Sequence, residues 1–164
     1  MSVTATIVAG QDGSTAIAGS SAGITSSADK TLFLERRRKA DCIIIGGNTA
    51  RNEPYTKTPV PLVVISRHEH PKLPAAHVWN IEPSEGIEKA RGEFGENILI
   101  EGGAAFITYL LDRNDIDCLE LSITSVSGGT DIFDFERYLK IAQTVTKNVI
   151  ADTTFYTARF SSPQ

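Results

Sequence analysis

The stretch Asn97–Ile98–Leu99–Ile100–Glu101–Gly102–Gly103–Ala104–Ala105–Phe106 decides how this chain is read. Three consecutive aliphatic residues form a run too short for a helix and without alternation. That is the pattern of a strand covered on both faces in a mostly parallel sheet. The paired glycines stop the strand, and the apolar segment after them predicts a helix from about Ala104 to Leu111. The same device occurs twice upstream. Cys42–Ile43–Ile44–Ile45 runs into Gly46–Gly47–Asn48–Thr49, and Leu62–Val63–Val64–Ile65 runs into Ser66–Arg67.

Working outward, Val3 to Ala9 predicts a first strand, stopped by the turn cluster Gly10–Gln11–Asp12–Gly13. Ser14 to Ser27 is small and polar, a long loop of the kind that is usually functional. Ser26 or Ser27 caps a helix from about Ala28 to Lys39. Pro54, Pro59 and Pro61 make the next stretch irregular. His68 to Pro74 predicts a polar loop, His77 to Trp79 a short strand, and Pro83 to Glu93 a surface helix. Asp117 to Thr124 alternates as a strand does, and Gly128–Gly129 is a turn. Ile141 to Ile150 and Thr153 to Phe160 predict an antiparallel hairpin joined at Ala151–Asp152. The expected fold is α/β, with parallel central strands and an antiparallel C-terminal hairpin. One domain is expected over residues 1–164, with 1–2 and 161–164 loose.

Composition is that of a globular chain: 164 residues, 41% hydrophobic and 22% charged. A net charge of −4 argues against nucleic acid and anionic membrane as partners. Arg36–Arg37–Arg38–Lys39 is the one basic run, and it reads equally as the solvated end of a helix. Cys42 and Cys118 adjoin apolar runs and are expected to be buried free thiols. No cysteine or histidine spacing suggests a metal. His68, His70 and His77 are expected on exposed loops. Met1 to Gly10 has no signal-peptide pattern, and no run is long enough to span a membrane, so the expected location is cytoplasmic.

In open α/β sheets ligands collect at the carboxyl ends of strands, so the three small or polar strand ends are expected to share one surface. Gly102–Gly103 opens a helix whose free N–H groups suit an anion. Thr49 adds a hydroxyl, Arg67 a planar cationic fork and Ser66 a further donor. A helix N-terminus for a pyrophosphate and a cation for an extra phosphate together suit a dinucleotide bearing a 2′-phosphate. The GxGxxG fingerprint is absent, so an ordinary Rossmann site is not expected. Three acids are expected near the same crevice: Asp12, Glu53 and Glu101. A reductase of a C=N bond needs a proton donor, and a carboxyl can serve. Asp12 reads equally as a turn former and Glu53 as a loop charge.

Six motifs in this order resemble the reductase domain of riboflavin biosynthesis. They are Asp12–Gly13 with Ala16 to Ser20; Ile24–Thr25–Ser26 with Arg37, Ala40 and Asp41; Ile43 to Arg51 with Glu53–Pro54; Val63 to Arg67; Ile98 to Gly103; and Ile116 to Leu121. The resemblance implies a dihydrofolate reductase-like three-layer fold with helices on both faces of a mixed sheet. It implies NADPH at Thr49, Ser66, Arg67, Gly102, Gly103, Ala104, Ala105 and Phe106. It places substrate contacts at Ser20 or Ser21, Arg37 and Glu101, with Glu53 near the nicotinamide. The implied reaction delivers a hydride to the ribose C1′ of a ribosylamino-pyrimidine 5′-phosphate, in a homodimer. Two other readings stay open: a different substrate on the same cofactor site, and an NADP-binding module without turnover.

Overall fold

The computed structural model describes residues 2–161. Eight strands form one sheet in the order β4-β3-β2-β5-β1-β6-β8-β7. They are β1 (Ser2–Gly10), β2 (Cys42–Gly46), β3 (Leu62–Ile65), β4 (His77–Trp79), β5 (Asn97–Glu101), β6 (Cys118–Thr124), β7 (Thr144–Ile150) and β8 (Thr153–Arg159). The helices are α1 (Ser27–Lys39), α2 (Gly47–Asn52), α3 (Pro83–Phe94), α4 (Ala104–Asp112) and α5 (Phe135–Ile141). The first six strands pair in parallel, and β8 runs antiparallel between β6 and β7.

The continuous apolar runs are explained by burial on two faces. Along β2, Cys42 and Ile44 point into a core made with Ile87 and Ala90 of α3 and Ile107 and Leu110 of α4. Ile43 and Ile45 point the other way, onto Ala50 of α2 and Tyr55, Val64 and Leu73. Arg37 of α1 meets Glu101 on this second face. Thus α1 and α2 cover one side and α3, α4 and α5 the other, as a three-layer fold requires. Burying one fully exposed Ile or Leu side chain contributes about 1.5–3 kcal/mol, and both faces of β2 and β5 do so without interruption.

The differences from expectation are local. Ser2 pairs with Asn97 inside β1, so it is not loose; Met1 and residues 162–164 lie outside the described residues. The expected strand from Ile141 begins at Thr144, because residues 135–141 form α5, capped by the Asp134 carboxylate accepting from Arg137 N. Gly47 to Asn52 is helical rather than irregular. The loop 14–26 is not a featureless span: Ser14, Thr15 and Ala16 are buried, and a 3₁₀ turn covers Ser21–Gly23. Ser26, not Ser27, caps α1. Both cysteines are free and buried; burial pushes the Cys42 thiol up to about 12 and Cys118 to about 11. Among the described residues, no helix is long and apolar enough to cross a membrane.

Candidate active site

A cavity of about 470 Å³ opens at the carboxyl ends of β1, β5 and β2, beneath α1 and α2. Unequal strand length makes it. Pairing of β1 with β5 stops at Thr6–Glu101, whereas β1 continues beside β6 to Gly10–Thr124. The notch left above Glu101 is lined by Thr6, Ile7 and Val8 of β1 and by Glu101, Gly102 and Gly103.

The floor is an ion pair. Arg37 donates from Nε to Glu101 Oε1 at 2.9 Å and from Nη2 to Oε2 at 2.8 Å. The Tyr55 hydroxyl donates to Oε2 at 2.6 Å. Glu101 is 1% exposed, Tyr55 7% and Arg37 8%. The guanidinium carbon lies 4.4 Å from the Phe33 ring centroid and 5.0 Å from that of Tyr55, so two aromatic faces clamp the cation. Helical spacing arranges this: Asp29, Phe33 and Arg37 recur every four residues of α1 and all line the cavity. Burial alone would lower the Arg37 pKa, but hydrogen bonding to and the charge of Glu101 outweigh it and raise it. Burial, and then the Glu101 charge, push the Tyr55 hydroxyl well above its usual range, so it stays a donor.

This corrects the solvated-end reading of residues 36–39. Arg38 and Lys39 are exposed, but Arg37 is buried and Arg36 reaches Thr6 Oγ1 at 3.0 Å and Glu120 at 3.5 Å. Arg37 and Glu101, expected as two substrate contacts, hold each other. Tyr55 escaped the sequence reading; its signal was a lone aromatic residue in a proline-rich stretch.

Glu53, Ser20 and Ser21 also come together. Glu53 Oε1 accepts from Ser21 N at 2.6 Å and Oε2 from Ser20 Oγ at 3.4 Å. All three line the cavity, so Glu53 ties the loop after β1 across its mouth. Asp12 is not brought in. It is exposed, and its carboxylate accepts from Ser14 N at 3.0 Å and Gly128 N at 2.8 Å. Those backbone bonds, Gly128 first, hold its pKa down at about 2. A carboxylate ionised at all ordinary pH cannot deliver a proton; Asp12 clips two turns together.

The anion-binding half adjoins this floor. Thr49 Oγ1 accepts from Gly103 N at 3.1 Å, tying α2 to the start of α4, and both residues line the cavity with Asn48 and Gly102. Gly103 caps α4 without any side-chain hydrogen bond, so the first-turn N–H groups are not capped by a side chain. A Cβ on Gly103 would meet nothing nearer than Thr49 Oγ1 at 4.0 Å, so open space stands before those groups. Ala104 is buried, Ala105 exposed, and Phe106 packs below Gly46 and Gly102. Ser66 and Arg67 lie beyond the cavity lining, at the end of β3. There the Ser66 hydroxyl stands 2.9 Å from where a Gly47 Cβ would be, and Arg51 Nη1 3.3 Å from the same point. His68 and His77 are exposed as expected, but His70 is buried, with Nε2 2.9 Å from Ser66 Oγ. Among the described residues no group of three or more His, Cys, Asp or Glu could hold a metal ion.

Solved structures show the same fold at low identity. A deaminase/5-amino-6-(5-phosphoribosylamino)uracil reductase from Thermotoga maritima superposes with a TM-score of 0.74 at 16% identity, covering 97% of this chain and 56% of that one. A pyrimidine reductase-like protein from Corynebacterium diphtheriae gives 0.73 at 15%, covering 96% and 91%. The dihydrofolate reductase of Enterococcus faecalis, solved with NADP(H), gives 0.72 at 13%, covering 96% and 95%. The fold is therefore dihydrofolate reductase-like, and this chain spans little more than half of the Thermotoga protein. No curated protein matches the sequence. Residues 1–153 match the profile of the RibD C-terminal domain, and the chain belongs to that family.

Proposed function

We propose that this chain is an NADPH-dependent reductase of a ribosylamino-pyrimidine 5′-phosphate in riboflavin biosynthesis. One observation carries the reading: Asn48, Thr49, Gly102 and Gly103 line the same open cavity as Arg37, Glu53 and Glu101. An anion-binding turn and an acid-bearing cleft are then two ends of one site. The open space before α4 and the cation and hydroxyl at Arg67 and Ser66 fit a dinucleotide with a 2′-phosphate. Bound NADPH supplies the hydride. Gly102 to Phe106 and Thr49 hold its pyrophosphate; Glu101 and Tyr55 fix Arg37, whose Nη1 remains for the substrate; Ser20 and Ser21 cover the reacting centre. The open cleft favours turnover over a non-catalytic binding module, in which it would be filled.

Glu53 is the acid at the cleft mouth, and we assign it the proton step, directly or through water. Glu53→Gln is expected to lower kcat by about 10²- to 10⁴-fold while NADPH affinity stays within twofold. Steady-state kinetics with a cofactor titration checks both; an unchanged kcat removes Glu53 from the proton step. The cofactor reading is tested by titrating NADPH and NADH against the wild type and Arg67→Ala. One lost charge-assisted bond is worth about 1.5–3 kcal/mol, so the wild type should prefer NADPH by about ten- to a hundredfold and the variant should lose most of that. Equal affinities in the wild type overturn it. Turnover with ribosylamino-pyrimidine phosphates against pterins then identifies the substrate.

We also propose a homodimer in the cytoplasm, where both buried thiols stay reduced. β7 is an outer edge strand, exposed throughout, with Val145, Val149 and Ile150 on it and Ile141 nearby, a surface suited to a second copy. Sedimentation of the whole chain should give twice the 17.7 kDa mass; a monomer at micromolar concentration overturns the assignment.

A further inference from the structure

We propose that His70 is a positioning residue for the cofactor's 2′-phosphate, acting through the Ser66 hydroxyl and beside Arg51, so that choice of the phosphorylated cofactor is linked to uptake of a proton. The proposal rests on the NADPH reading above and extends it to residues which that reading leaves out.

The geometry is a buried histidine tied to the hydroxyl expected to face the phosphate. Ser66 Oγ accepts from His68 N at 3.1 Å and lies 2.9 Å from His70 Nε2. With one lone pair on the backbone N–H, a hydroxyl that donates to a phosphate must accept from Nε2. His70 must then carry its proton on Nε2. Its backbone is held in place, because the His70 carbonyl accepts from Leu73 N at 2.9 Å and Leu73 is anchored in the core beside β3. Arg51 approaches from α2, with Nη1 above the bare backbone of Gly47 on the Ser66 side. A guanidinium and a hydroxyl that is tied to His70 thus converge where a side chain at position 47 would intrude.

The sign of the linkage follows from the charges. Burial first, then Arg51 and His68, lower the His70 pKa in the free protein. The other charged groups of this segment are Arg67, Glu69 and Lys72, all exposed. A phosphate dianion set between Arg51 and Ser66 cancels the repulsion and favours the imidazolium. The His70 pKa rises on binding, and a proton is taken up between the free and bound values.

The test is calorimetric titration of NADPH, NADH and 2′,5′-ADP from pH 5.5 to 8.5, in two buffers of different ionisation enthalpy. Wild type is compared with His70→Gln, which keeps a hydrogen-bonding group but does not titrate. The phosphate's own ionisation is common to both proteins, so the difference between them belongs to His70. Wild type should take up as much as one proton more than the variant with NADPH and 2′,5′-ADP, and no more with NADH. Its preference for NADPH should exceed the variant's by about tenfold near pH 6 and converge above pH 8. Arg51→Met should lose about tenfold in 2′,5′-ADP affinity at every pH. Identical proton counts and pH profiles in wild type and His70→Gln overturn the proposal while leaving the cofactor reading intact. Failure of the wild type to distinguish NADPH from NADH at any pH overturns both.

Discussion

Replacing Glu101 by alanine is expected to lower the unfolding free energy by about 3–5 kcal/mol, because it strands a buried guanidinium. Among the described residues Arg37 has no other carboxylate within salt-bridge distance, and Phe33 and Tyr55 cover its faces. The hydroxyl of Tyr55 loses its acceptor as well, which adds to the loss. In urea, with a slope of roughly 2 kcal/mol/M, the midpoint should fall by about 2 M. The reasoning is tested by removing the whole network: Arg37→Met, Glu101→Leu and Tyr55→Phe together should recover most of the stability, since no charge or hydroxyl is then left unpaired. That triple variant should still lack activity, because the cleft has lost its fixed cation. A midpoint shift below about 0.5 M for Glu101→Ala would mean that water reaches Arg37, and the network would not be the floor of the site.

The central strands were legible because nothing competes with their pattern. Cys42 to Ile45, Leu62 to Ile65 and Ile98 to Ile100 are apolar at every position, and only a strand covered on both faces uses all of them. The two helices that were missed are short and carry a different signal. Residues 135–141 place Phe135, Tyr138 and Leu139 against the core at helical spacing, but seven residues are too few for periodicity to outweigh the β-branched segment that follows. The helix at Gly47 to Asn52 begins with glycine and has only Ala50 buried, so its sequence looks like a turn; contact with β2 and β3 makes it helical.

Within the site, the residues at strand ends were legible and their partners were not. Glu101, Thr49 and the two glycines follow buried strands, so the sheet alone brings them together. That Arg37 would turn inward depended on Phe33 and Tyr55, the latter 18 residues further along the chain on an irregular segment. Asp12 and Glu53 looked alike as loop acids. Which one faces the cleft was settled by backbone N–H groups: Gly128 and Ser14 hold Asp12 outside, and Ser21 draws Glu53 across the mouth. His70 was misplaced because a polar loop bounded by prolines gives no sign that Leu73 pins it to the core.

Gly103→Val is expected to abolish cofactor binding and leave the fold intact. Gly103 has φ −71° and ψ 164°, an extended conformation that valine adopts readily, and its Cβ direction is open. Stability should therefore change by less than about 1 kcal/mol, since the stiffer residue also restricts the unfolded chain. The side chain would, however, stand in the space before the first turn of α4, where the proposed reading has two N–H groups hold the pyrophosphate. Losing two charge-assisted bonds at about 1.5–3 kcal/mol each predicts at least a hundredfold weaker binding. Wild type at a hundred times Kd gains about 2.7 kcal/mol from its ligand, which for a chain of this size raises Tm by about 5–10 °C. The variant should melt cooperatively near the wild-type temperature and show no rise with NADPH. Gly103→Ala, whose single methyl points into the same space, should fall between the two. A variant that keeps the full rise would move the pyrophosphate away from α4. The cleft would then have to admit the cofactor from the β3 side, past Arg51 and Ser66.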